Sequence, residues 1–410
     1  MNDILYISPV TPRRDGMGIE KRAWAHLTAL RALGPVYLLV FTPGRALPDE
    51  GERVQLDSMC RTVFTCEATD EAPRIENAWG PGRNVLREFF SPEHTAAAVS
   101  EDIGKEISAL LAGVSLAAVL CFRIRTFPIW ETLKRRFGFT ANRVLVDFDD
   151  IESAAMARRL PLEGKLLGKE TSLIWRLKIA RVRRLESRIL NAADHVLACS
   201  TLDRDTLRDK KPRAMVHVLP NIAPDVPSLP IHDKTGGANI LYVGAMGYPP
   251  NANGAIFFSQ EVWPLIQQNY RQVLRLWIVG FRPPETVLRL ADDPNIEVTG
   301  GVDSVIPYYR DADMVIVPLH FGGGTRIKIL EAMAIGRPVV STTLGAEGID
   351  YTHGENILIA DTPDAFADAC VALLDDPDMA AGLVAGGRKL VSEKYSQETV
   401  EAKFSEFISS

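Results

Sequence analysis

The chain has 410 residues, of which 46% are hydrophobic and 24% are charged, and its net charge is −6. This length exceeds one ordinary core and indicates two or three domains, and the composition is typical of a folded globular protein. The acidic balance argues against nucleic acid as a general partner. The longest apolar runs are about half of the roughly 20 residues that cross a bilayer, and no secretory signal is visible, so we expect a soluble, cytoplasmic protein.

Short apolar runs alternate with longer amphipathic stretches through most of the chain. Continuous apolar runs are typical of parallel strands that are covered on both faces, and strand–helix alternation indicates α/β domains with right-handed crossovers. In chain order, the predicted strands are Ile4–Ile7, Val36–Phe41, Ala117–Cys121, Val144–Val146, Val196–Ala198, Ile240–Val243, Leu274–Val279, Ile296–Val298, Met314–Val317, Val339–Ser341 and Ile357–Ile359.

Two polar segments in the first half follow predicted strands. The segment 13–18 contains Gly16 and Gly18 and precedes a predicted helix, which is the pattern of a tight turn. The strand Val144–Val146 ends at Asp147, and Asp149 and Asp150 follow it. The structural interpretation of these last two acids is that one of them caps the next helix.

A basic stretch occupies residues 165–188, and apolar residues fall partly at helical spacing within it. The sequence therefore predicts a basic amphipathic helix. Such a helix either lies against anionic lipid or packs its apolar face internally and shows its charges to water. The basic residues are Lys165, Lys169, Arg176, Lys178, Arg181, Arg183, Arg184 and Arg188.

A domain linker is predicted between Leu219 and Ala238, because four prolines and a Gly-Gly pair interrupt any helix or central strand there. We therefore predict an N-terminal domain over residues 1–222 and a C-terminal domain over residues 223–392, with a final helix over 393–410 that packs back on the first domain. Open parallel sheets bind ligands beyond the carboxyl ends of their strands. Two such sheets that face each other form a cleft with two binding surfaces.

The most informative segment begins after the strand Met314–Val317 with three consecutive glycines and a threonine suited to a helix N-cap. The next ten residues read as a helix that ends at Gly336. Glycines let a bulky anion approach the backbone, and the first-turn N–H groups of a helix bind phosphate. The glycine loop consists of Gly322, Gly323, Gly324 and Thr325.

Three charged residues on this helix indicate what the loop binds. Arg326 and Lys328 are placed in the first turn, where the helix dipole disfavours cations, so a bound anion explains them best. The alternatives are that both point into solvent or that Lys328 pairs with Glu331. Glu331 lies among apolar neighbours and needs a partner, for which a ribose diol is suitable.

The segment GGGTRIKILEAMAIGRPVV resembles the donor-binding core of retaining glycosyltransferases of family 4 (group 1), closest to the subgroup that reads GxGTRxKxLEAMAxGxPVV. The resemblance extends over most of residues 240–350, and 299–302 is similar to the family's base-binding loop. It implies an α/β protein of the GT-B fold, with two Rossmann-like, doubly wound domains that face each other across a cleft. Of the family's Glu-x7-Glu pattern, Glu331 matches the second glutamate, and Gly323 stands where the first falls.

This resemblance implies transfer of a sugar from a nucleotide diphosphate sugar to a glycan or lipid-linked acceptor in cell-surface polysaccharide assembly. It also implies retention at the anomeric carbon. No metal ion or other cofactor is expected, because cations and N–H groups of the protein are expected to stabilise the departing diphosphate. Family members carry an arginine and a lysine after the glycine that corresponds to Gly244, where this chain has Ala245 and the region 251–253. We expect Arg326 and Lys328 to supply the missing charge and to stabilise the departing diphosphate. The implied donor-binding residues are Gly16, Gly18, Gly244, Gly301, Val302, Gly322, Gly323, Gly324, Thr325, Arg326, Lys328 and Glu331.

The same resemblance places Asp149 and Asp150 on the acceptor side as catalytic groups. Several alternatives stay open at this stage. Asp147 and Asp149 form a DxD sequence, which is the metal-binding motif of the other major glycosyltransferase fold. Other candidates are a nucleotide-sugar 2-epimerase, a sugar-phosphate transferase, and a non-catalytic protein that binds nucleotide sugar and assists a partner. The cytoplasmic protein is expected to rest peripherally on the inner face of the membrane if the basic helix contacts lipid.

Overall fold

A computed structural model describes residues 3–42 apart from Asp15 and Met17, and residues 47–67, 101–224, 226, 229, 237–322 and 326–409. Within helices and strands, the side chains of Thr42, Glu67, 101–103 and 159–174 are left undescribed. The chain divides into two compact units. The first comprises Met1–Pro220 and Gln397–Ser410, and the second comprises Asn221–Ser396. Each unit is a Rossmann-like α/β domain with one parallel sheet.

The first unit contains seven parallel strands in the order β3-β2-β1-β4-β5-β6-β7. Its strands are buried because both faces of the sheet are covered; for example, residues 4–7 of β1 are completely buried. In chain order, its elements are β1 (Asp3–Ser8), α1 (Gly18–Leu33), β2 (Val36–Thr42), α2 (Glu50–Met59), β3 (Thr62–Glu67), α3 (Glu101–Leu110), β4 (Leu116–Phe122), α4 (Phe127–Phe137), β5 (Ala141–Asp147), α5 (Glu152–Ala192), β6 (His195–Ala198), α6 (Thr201–Lys210) and β7 (Val216–Val218).

The second unit contains six parallel strands in the order β10-β9-β8-β11-β12-β13. Its elements are β8 (Ala238–Val243), α7 (Pro249–Phe257), α8 (Trp263–Asn269), β9 (Leu274–Val279), α9 (Glu285–Leu288), β10 (Ile296–Gly300), α10 (Ile306–Asp311), β11 (Met314–Val317), α11 (Ile327–Ile335), β12 (Val339–Ser341), β13 (Leu358–Ile359), α12 (Pro363–Asp375) and α13 (Pro377–Lys394). The last helix of the chain is α14 (Gln397–Ser409).

The prediction of two doubly wound parallel sheets is confirmed. Two observed strands, β3 and β7, were not among those predicted, and both are edge strands of the first sheet. An edge strand has a neighbour on one side only, so its sequence carries a weaker apolar signal than that of a central strand. The sequence of β3 is TVFTCE and that of β7 is VHV, and both mix polar with apolar residues.

Helix α14 packs on the first unit, although it follows the second unit in sequence. Phe404 is completely buried, and its ring centroid lies 5.5 Å from that of His26. Phe407 lies 4.6 Å from His217 between ring centroids, and Lys403 Nζ donates a hydrogen bond of 2.8 Å to the carbonyl of Val218. Apolar contacts and a main-chain hydrogen bond therefore hold the chain's end on the first sheet.

The strand order places a topological switch point in each sheet. In the first sheet the connections diverge between β1 and β4, and in the second they diverge between β8 and β11. A crevice opens at the carboxyl end of such a sheet, between loops that run in opposite directions. A ligand site in each unit is therefore expected at the loops that follow these strands.

The basic segment predicted to be helical lies within α5, which has 41 residues. Among the residues that the structure describes, no helix combines the length and apolar character needed to cross a bilayer.

Candidate functional site

Lys328 of α11 reaches the loop that follows β8. Its Nζ donates a hydrogen bond of 2.9 Å to Asn251 Oδ1 and lies 4.8 Å from the centroid of the Tyr242 ring. A Cβ built on Gly244 would be only 2.8 Å from this Nζ, so a larger residue there would displace the lysine amine or the Asn251 amide. The structure therefore brings together Gly244 and Lys328, which are far apart in sequence.

Hydrogen bonds to residues at the end of β8 and in the loop after it hold Asn251 in place. Its Nδ2 donates to the carbonyl of Ala245 at 3.0 Å, and its own carbonyl accepts a hydrogen bond of 3.1 Å from the Tyr242 hydroxyl. The side-chain partner of Lys328 is thus a neutral amide. A neutral partner leaves the positive charge of the lysine uncompensated by that contact, which suits a site for an anion.

Arg326 lies beside the glycine loop and is 7% exposed. It occupies the N-cap position of α11, since the helix begins at Ile327, one residue later than predicted. Gly322 has a φ of 121°, and a Cβ there would lie 3.1 Å from an Arg326 guanidinium nitrogen. The left-handed backbone at Gly322 therefore admits the arginine. Gly323, Gly324 and Thr325 lie outside the described residues, so the predicted Thr325 cap stays a prediction.

The electrostatics of Lys328 reflect its burial. Burial lowers the pKa of Lys328 to about 7, and the neighbouring Arg326 lowers it as well, whereas Glu331 raises it. A buried ammonium and a guanidinium that repel one another are stabilised together when an anion binds between or beside them. The pair can thus recognise a phosphate-like group.

Glu331 lies one turn further along α11 and is 8% exposed. Its Oε2 accepts a hydrogen bond of 3.3 Å from the hydroxyl of Tyr309, which belongs to α10. Lys328 Nζ bonds to Asn251, as described above. Sequence reasoning missed Tyr309, because a tyrosine 22 residues away carries no local sign of its partner.

The loops after β8, β9 and β10 pack tightly at the carboxyl edge of the second sheet. The N–H of Gly280 donates to the carbonyl of Gly300 at 3.0 Å. A Cβ on Gly280, whose φ is 156°, would lie 1.7 Å from the carbonyl oxygen of Gly244, which no side chain permits. The predicted base-binding residues Gly301 and Val302 follow β10 at this edge, and a Cβ on Gly301 would touch the Phe281 ring at 3.0 Å.

Two further residues at this edge were missed by sequence reasoning. Phe281 is 57% exposed, which is unusual for a large aromatic side chain. Arg282 has a φ of 54°, and its guanidinium carbon lies 4.9 Å from the centroid of the Phe281 ring. Backbone strain of this kind concentrates at functional sites. The available signal was their position directly after Gly280, the glycine that follows β9.

In the first unit, Asp147 is completely buried at the end of β5. Its two oxygens accept hydrogen bonds of 2.7 and 2.9 Å from Arg22 of α1, and His26 Nε2 lies 3.2 Å from one of them. Arg22 also donates to the carbonyl of Leu219 at 3.0 Å. Burial lowers the pKa of His26 well below its ordinary value, so this histidine is neutral. Asp147 therefore anchors α1 to the sheet.

Asp149 is also paired with arginines. Its carboxylate forms an ion pair with Arg123, which follows β4, and lies 3.5 Å from Arg22. Asp149 and Arg123 both have left-handed backbones, with φ values of 56° and 64°, and the thiol of Cys199 donates to the carbonyl of Asp149. The DxD carboxylates thus already accept guanidinium hydrogen bonds, which compete with metal coordination. Among the described residues, no cluster of three or more His, Cys, Asp and Glu side chains could hold a metal ion.

The alternative that Asp149 or Asp150 caps the following helix is wrong. Ile151 occupies the N-cap position of α5 and makes no capping hydrogen bond, whereas the first-turn N–H of Ser153 donates to Glu186 Oε1 at 2.9 Å. Asp149, with its left-handed backbone, lies in the turn before the helix. Asp150 is partly exposed.

The glycine turn after β1 is held by a charged cluster. Arg13 pairs with Glu20 at 2.6 Å and with Glu52, which also completes a capping box at the start of α2. A Cβ on Gly16 would lie 2.5 Å from the Glu20 carboxylate, so this position requires glycine. Gly18 is the first residue of α1. Gly16, Gly18, Asp149 and Asp150 all belong to the first unit, and the other described candidates belong to the second.

The two parallel Rossmann-like sheets and the glycine loop with buried cations define an α/β protein of the GT-B architecture. Residues 237–376 match the model of the family described as "Glycosyl transferases group 1". Solved structures agree with the fold over the whole chain. Sucrose-phosphate synthase from Thermosynechococcus elongatus has a TM-score of 0.66, at 17% identity, over 99% of this chain and 98% of its own. The HepE protein of Anabaena, solved with UDP and glucose, has a TM-score of 0.65, at 12% identity, over 100% of both chains.

Curated relatives are similar over a shorter stretch. A GDP-mannose-dependent alpha-(1-6)-phosphatidylinositol monomannoside mannosyltransferase of Mycobacterium tuberculosis is 33% identical over 148 residues, 32% of this chain and 38% of the relative. A D-inositol 3-phosphate glycosyltransferase of Corynebacterium glutamicum is 38% identical over 163 residues, 37% of each chain. The chain thus spans less than two-fifths of the length of these relatives.

The buried pair of Arg22 and Asp147 gives a prediction about stability. Asp147→Ala is expected to destabilise the first unit by about 3–5 kcal/mol, because it leaves a buried guanidinium without its carboxylate. Urea unfolding measured by circular dichroism checks this value. Asp205→Ala, which removes a carboxylate paired with Arg204 at the surface, is the matched control and should leave the unfolding midpoint unchanged. Equal effects of the two substitutions would contradict the anchoring role of Asp147.

Lys328 gives a prediction about pH dependence. Its pKa in the folded protein, about 7, lies below the ordinary 10.5, so below pH 7 the folded state bears the cost of a buried charge. Between these two values only the unfolded chain is protonated, so stability rises with pH there. Lys328→Met is therefore expected to stabilise the protein by about 1–2 kcal/mol at pH 6, and by less at pH 9.

Denaturant unfolding at both pH values measures this difference. Lys389→Met, at an exposed lysine of α13, is the control, and its effect should not change with pH. A stability difference for Lys328→Met that stays constant from pH 6 to pH 9 would show that the buried amine does not titrate in this range.

Proposed function

We propose that this protein is a glycosyltransferase that takes a sugar from a nucleotide diphosphate sugar. The observation that carries the proposal is the meeting of Lys328 and Arg326 with Gly244 and Gly322 at the switch point of the second sheet. In this proposal the donor binds to the C-terminal domain (223–392), and the acceptor binds to the N-terminal domain (1–222) with the final helix (393–410).

The two cations act on the leaving group. Cleavage of the bond between the sugar and the diphosphate places negative charge on the diphosphate oxygens, and Lys328 and Arg326 stabilise that charge. Because both side chains are held in place before the donor arrives, little reorganisation is needed as charge develops. We propose that this arrangement operates without a metal ion. The group 1 family match and the HepE structure that contains UDP support a nucleotide-bound donor.

The remaining candidates take positions around the donor in this proposal. Glu331 accepts hydrogen bonds from the ribose hydroxyls, and the loop after β10 contacts the base. Gly322, Gly323, Gly324 and Thr325 approach the diphosphate through their backbone N–H groups, as do Gly16 and Gly18 from the N-terminal domain. The close approach of other atoms at Gly244, Gly16 and Gly322 supports a requirement for glycine there.

The acceptor is proposed to be a glycan or a lipid-linked molecule in cell-surface polysaccharide or glycoconjugate assembly, with retention at the anomeric carbon. The two curated relatives are named for activities on a phosphatidylinositol monomannoside and on inositol 3-phosphate, which supports an acceptor that carries hydroxyls. On the acceptor side, Asp150 is partly exposed, whereas Asp149 is held by Arg123. We therefore assign substrate contact to Asp150 and positioning of the strained turn to Asp149.

Two alternative functions could be carried out by the same site. Gly323 in place of the family's first glutamate removes a group that holds the transferred sugar, which favours a protein that binds nucleotide sugar without turnover. A nucleotide-sugar 2-epimerase needs a further set of acids around the sugar. Nucleotide release from labelled UDP-, GDP- and ADP-sugars, with and without lipid acceptors, separates transfer from binding alone and from isomerisation.

Arg326→Ala tests the leaving-group role. We expect kcat with the accepted donor to fall about 100-fold, the effect of removing one preorganised charge donor at a transition state. Arg310→Ala, which removes a surface arginine paired with Asp311, is the control and should keep the wild-type rate. A wild-type rate in the Arg326→Ala variant would remove the proposed role. Activity that EDTA abolishes and magnesium restores would favour the DxD alternative.

The basic helix α5 is proposed to contact anionic lipid and so to bring the acceptor domain to a membrane surface. Within the described part of the segment 165–188, five arginines are exposed (Arg176, Arg181, Arg183, Arg184 and Arg188), and Leu177 among them is 50% exposed. Lys165 and Lys169 lie in the part of α5 whose side chains are not described. An exposed apolar residue among cations is the pattern of a helix that binds lipid headgroups.

Vesicle flotation tests this contact. Wild-type protein should float with vesicles that contain about 30% phosphatidylglycerol and not with pure phosphatidylcholine, since the attraction is electrostatic. The double substitution Arg183→Glu and Arg184→Glu should abolish flotation. Lys134→Glu and Arg135→Glu on α4 form the control. Binding that survives both the double substitution and 0.5 M salt would contradict the proposal.

A further inference from the structure

Tyr309 buries a hydroxyl group directly against the carboxylate of Glu331. The side chain is completely buried, and its OH donates a hydrogen bond of 3.3 Å to Glu331 Oε2. Burial and the nearby carboxylate raise the pKa of Tyr309 well above its ordinary value, so the phenol keeps its proton and acts as the donor. A buried phenol without a partner is costly, and here a charged acceptor strengthens the bond.

A second contact fixes Tyr309 itself. Arg337, which is 1% exposed, donates from Nε to the carbonyl of Tyr309 at 2.6 Å and from a terminal nitrogen to the carbonyl of Arg310 at 2.9 Å. Arg337 follows Gly336, the left-handed residue that ends α11. Helices α10 and α11 are therefore joined at two points, one at the end of α11 and one at the carboxylate of Glu331.

This double attachment restricts the Glu331 side chain. Glutamate has several rotatable bonds, and an unrestrained carboxylate loses rotamer entropy when it binds a ligand. A carboxylate has about four lone-pair positions, so one phenol and the hydroxyls of a diol can be bound together. Binding groups whose conformation is locked by surrounding hydrogen bonds bind more tightly than free ones.

We infer that Tyr309 is a positioning residue, which holds Glu331 in the orientation that binds the ribose hydroxyls of the nucleotide. The inference rests on the proposed function for the identity of the ligand. The contrasting view is that the Tyr309 hydroxyl stabilises the fold alone. In that view its removal weakens all nucleotides equally, whereas a positioning role predicts a loss that depends on the ribose hydroxyls.

The experiment compares nucleotides that differ only at the ribose. UDP, GDP and ADP are titrated calorimetrically into the wild-type protein, and the tightest of them is compared with its 2′,3′-dideoxy form. We expect the wild type to prefer the ribonucleotide by about tenfold or more, the effect of hydrogen bonds to a charged group. In Tyr309→Phe, which removes one oxygen and keeps the ring, the preference should fall to about threefold or less.

Tyr308→Phe is the matched control, since Tyr308 is the adjacent tyrosine and packs edge-on against Trp277 at 5.7 Å. It should keep the wild-type preference. If Tyr309→Phe is unfolded by circular dichroism, Tyr309→Met replaces it, because methionine fills an apolar site without an oxygen.

Two results would overturn the inference in distinguishable ways. A Tyr309→Phe variant that retains the full ribose preference, with only a lower unfolding midpoint, would assign the hydroxyl to stability alone and leave the proposed function intact. A wild-type protein that binds none of the three nucleotides would remove the proposed function and the ribose assignment together.

Discussion

The site in the second unit depends on one close contact, the passage of the Lys328 side chain over Gly244. Any larger residue at position 244 would push the ammonium away from Asn251 and from the Tyr242 ring. The amine is buried beside Arg326, so the folded protein bears the cost of two neighbouring cations. In the function that we propose, a bound diphosphate lowers that cost, and the same electrostatic energy contributes to donor affinity and to leaving-group stabilisation.

The charged groups described above have different partners in the two units. In the first unit, the acids after β5 are paired within the protein, since Arg22 holds Asp147 and Arg123 holds Asp149. In the second unit, Lys328 donates to the neutral amide of Asn251, and the carboxylate of Glu331 accepts a hydrogen bond from the phenol of Tyr309. An ion pair within the protein fixes the shape of a loop, whereas a lysine that donates to an amide is suited to bind an anion.

Much of the site could be predicted from the sequence, because glycines and cations around a helix start have a local physical meaning. Gly322, Arg326 and Lys328 were identified on this basis, and the structure places all three at one switch point. We predicted the start of α11 one residue too early, and the predicted alternative of a capping role for Asp149 or Asp150 was wrong. The edge strands β3 and β7 were missed because a strand with a neighbour on one side only carries a weaker apolar signal.

The sequence by itself determined the parallel sheets, the glycine loops and the helix that carries the cations, because these follow from local patterns of burial and backbone freedom. Only the tertiary structure decided the partners: Asn251 for Lys328, Tyr309 for Glu331, and Arg22 for Asp147 across 125 positions of sequence. Such pairs depend on which strands lie side by side and how each helix crosses them. No local pattern encodes these distances, since loop closure brings together residues whose own neighbourhoods are unrelated.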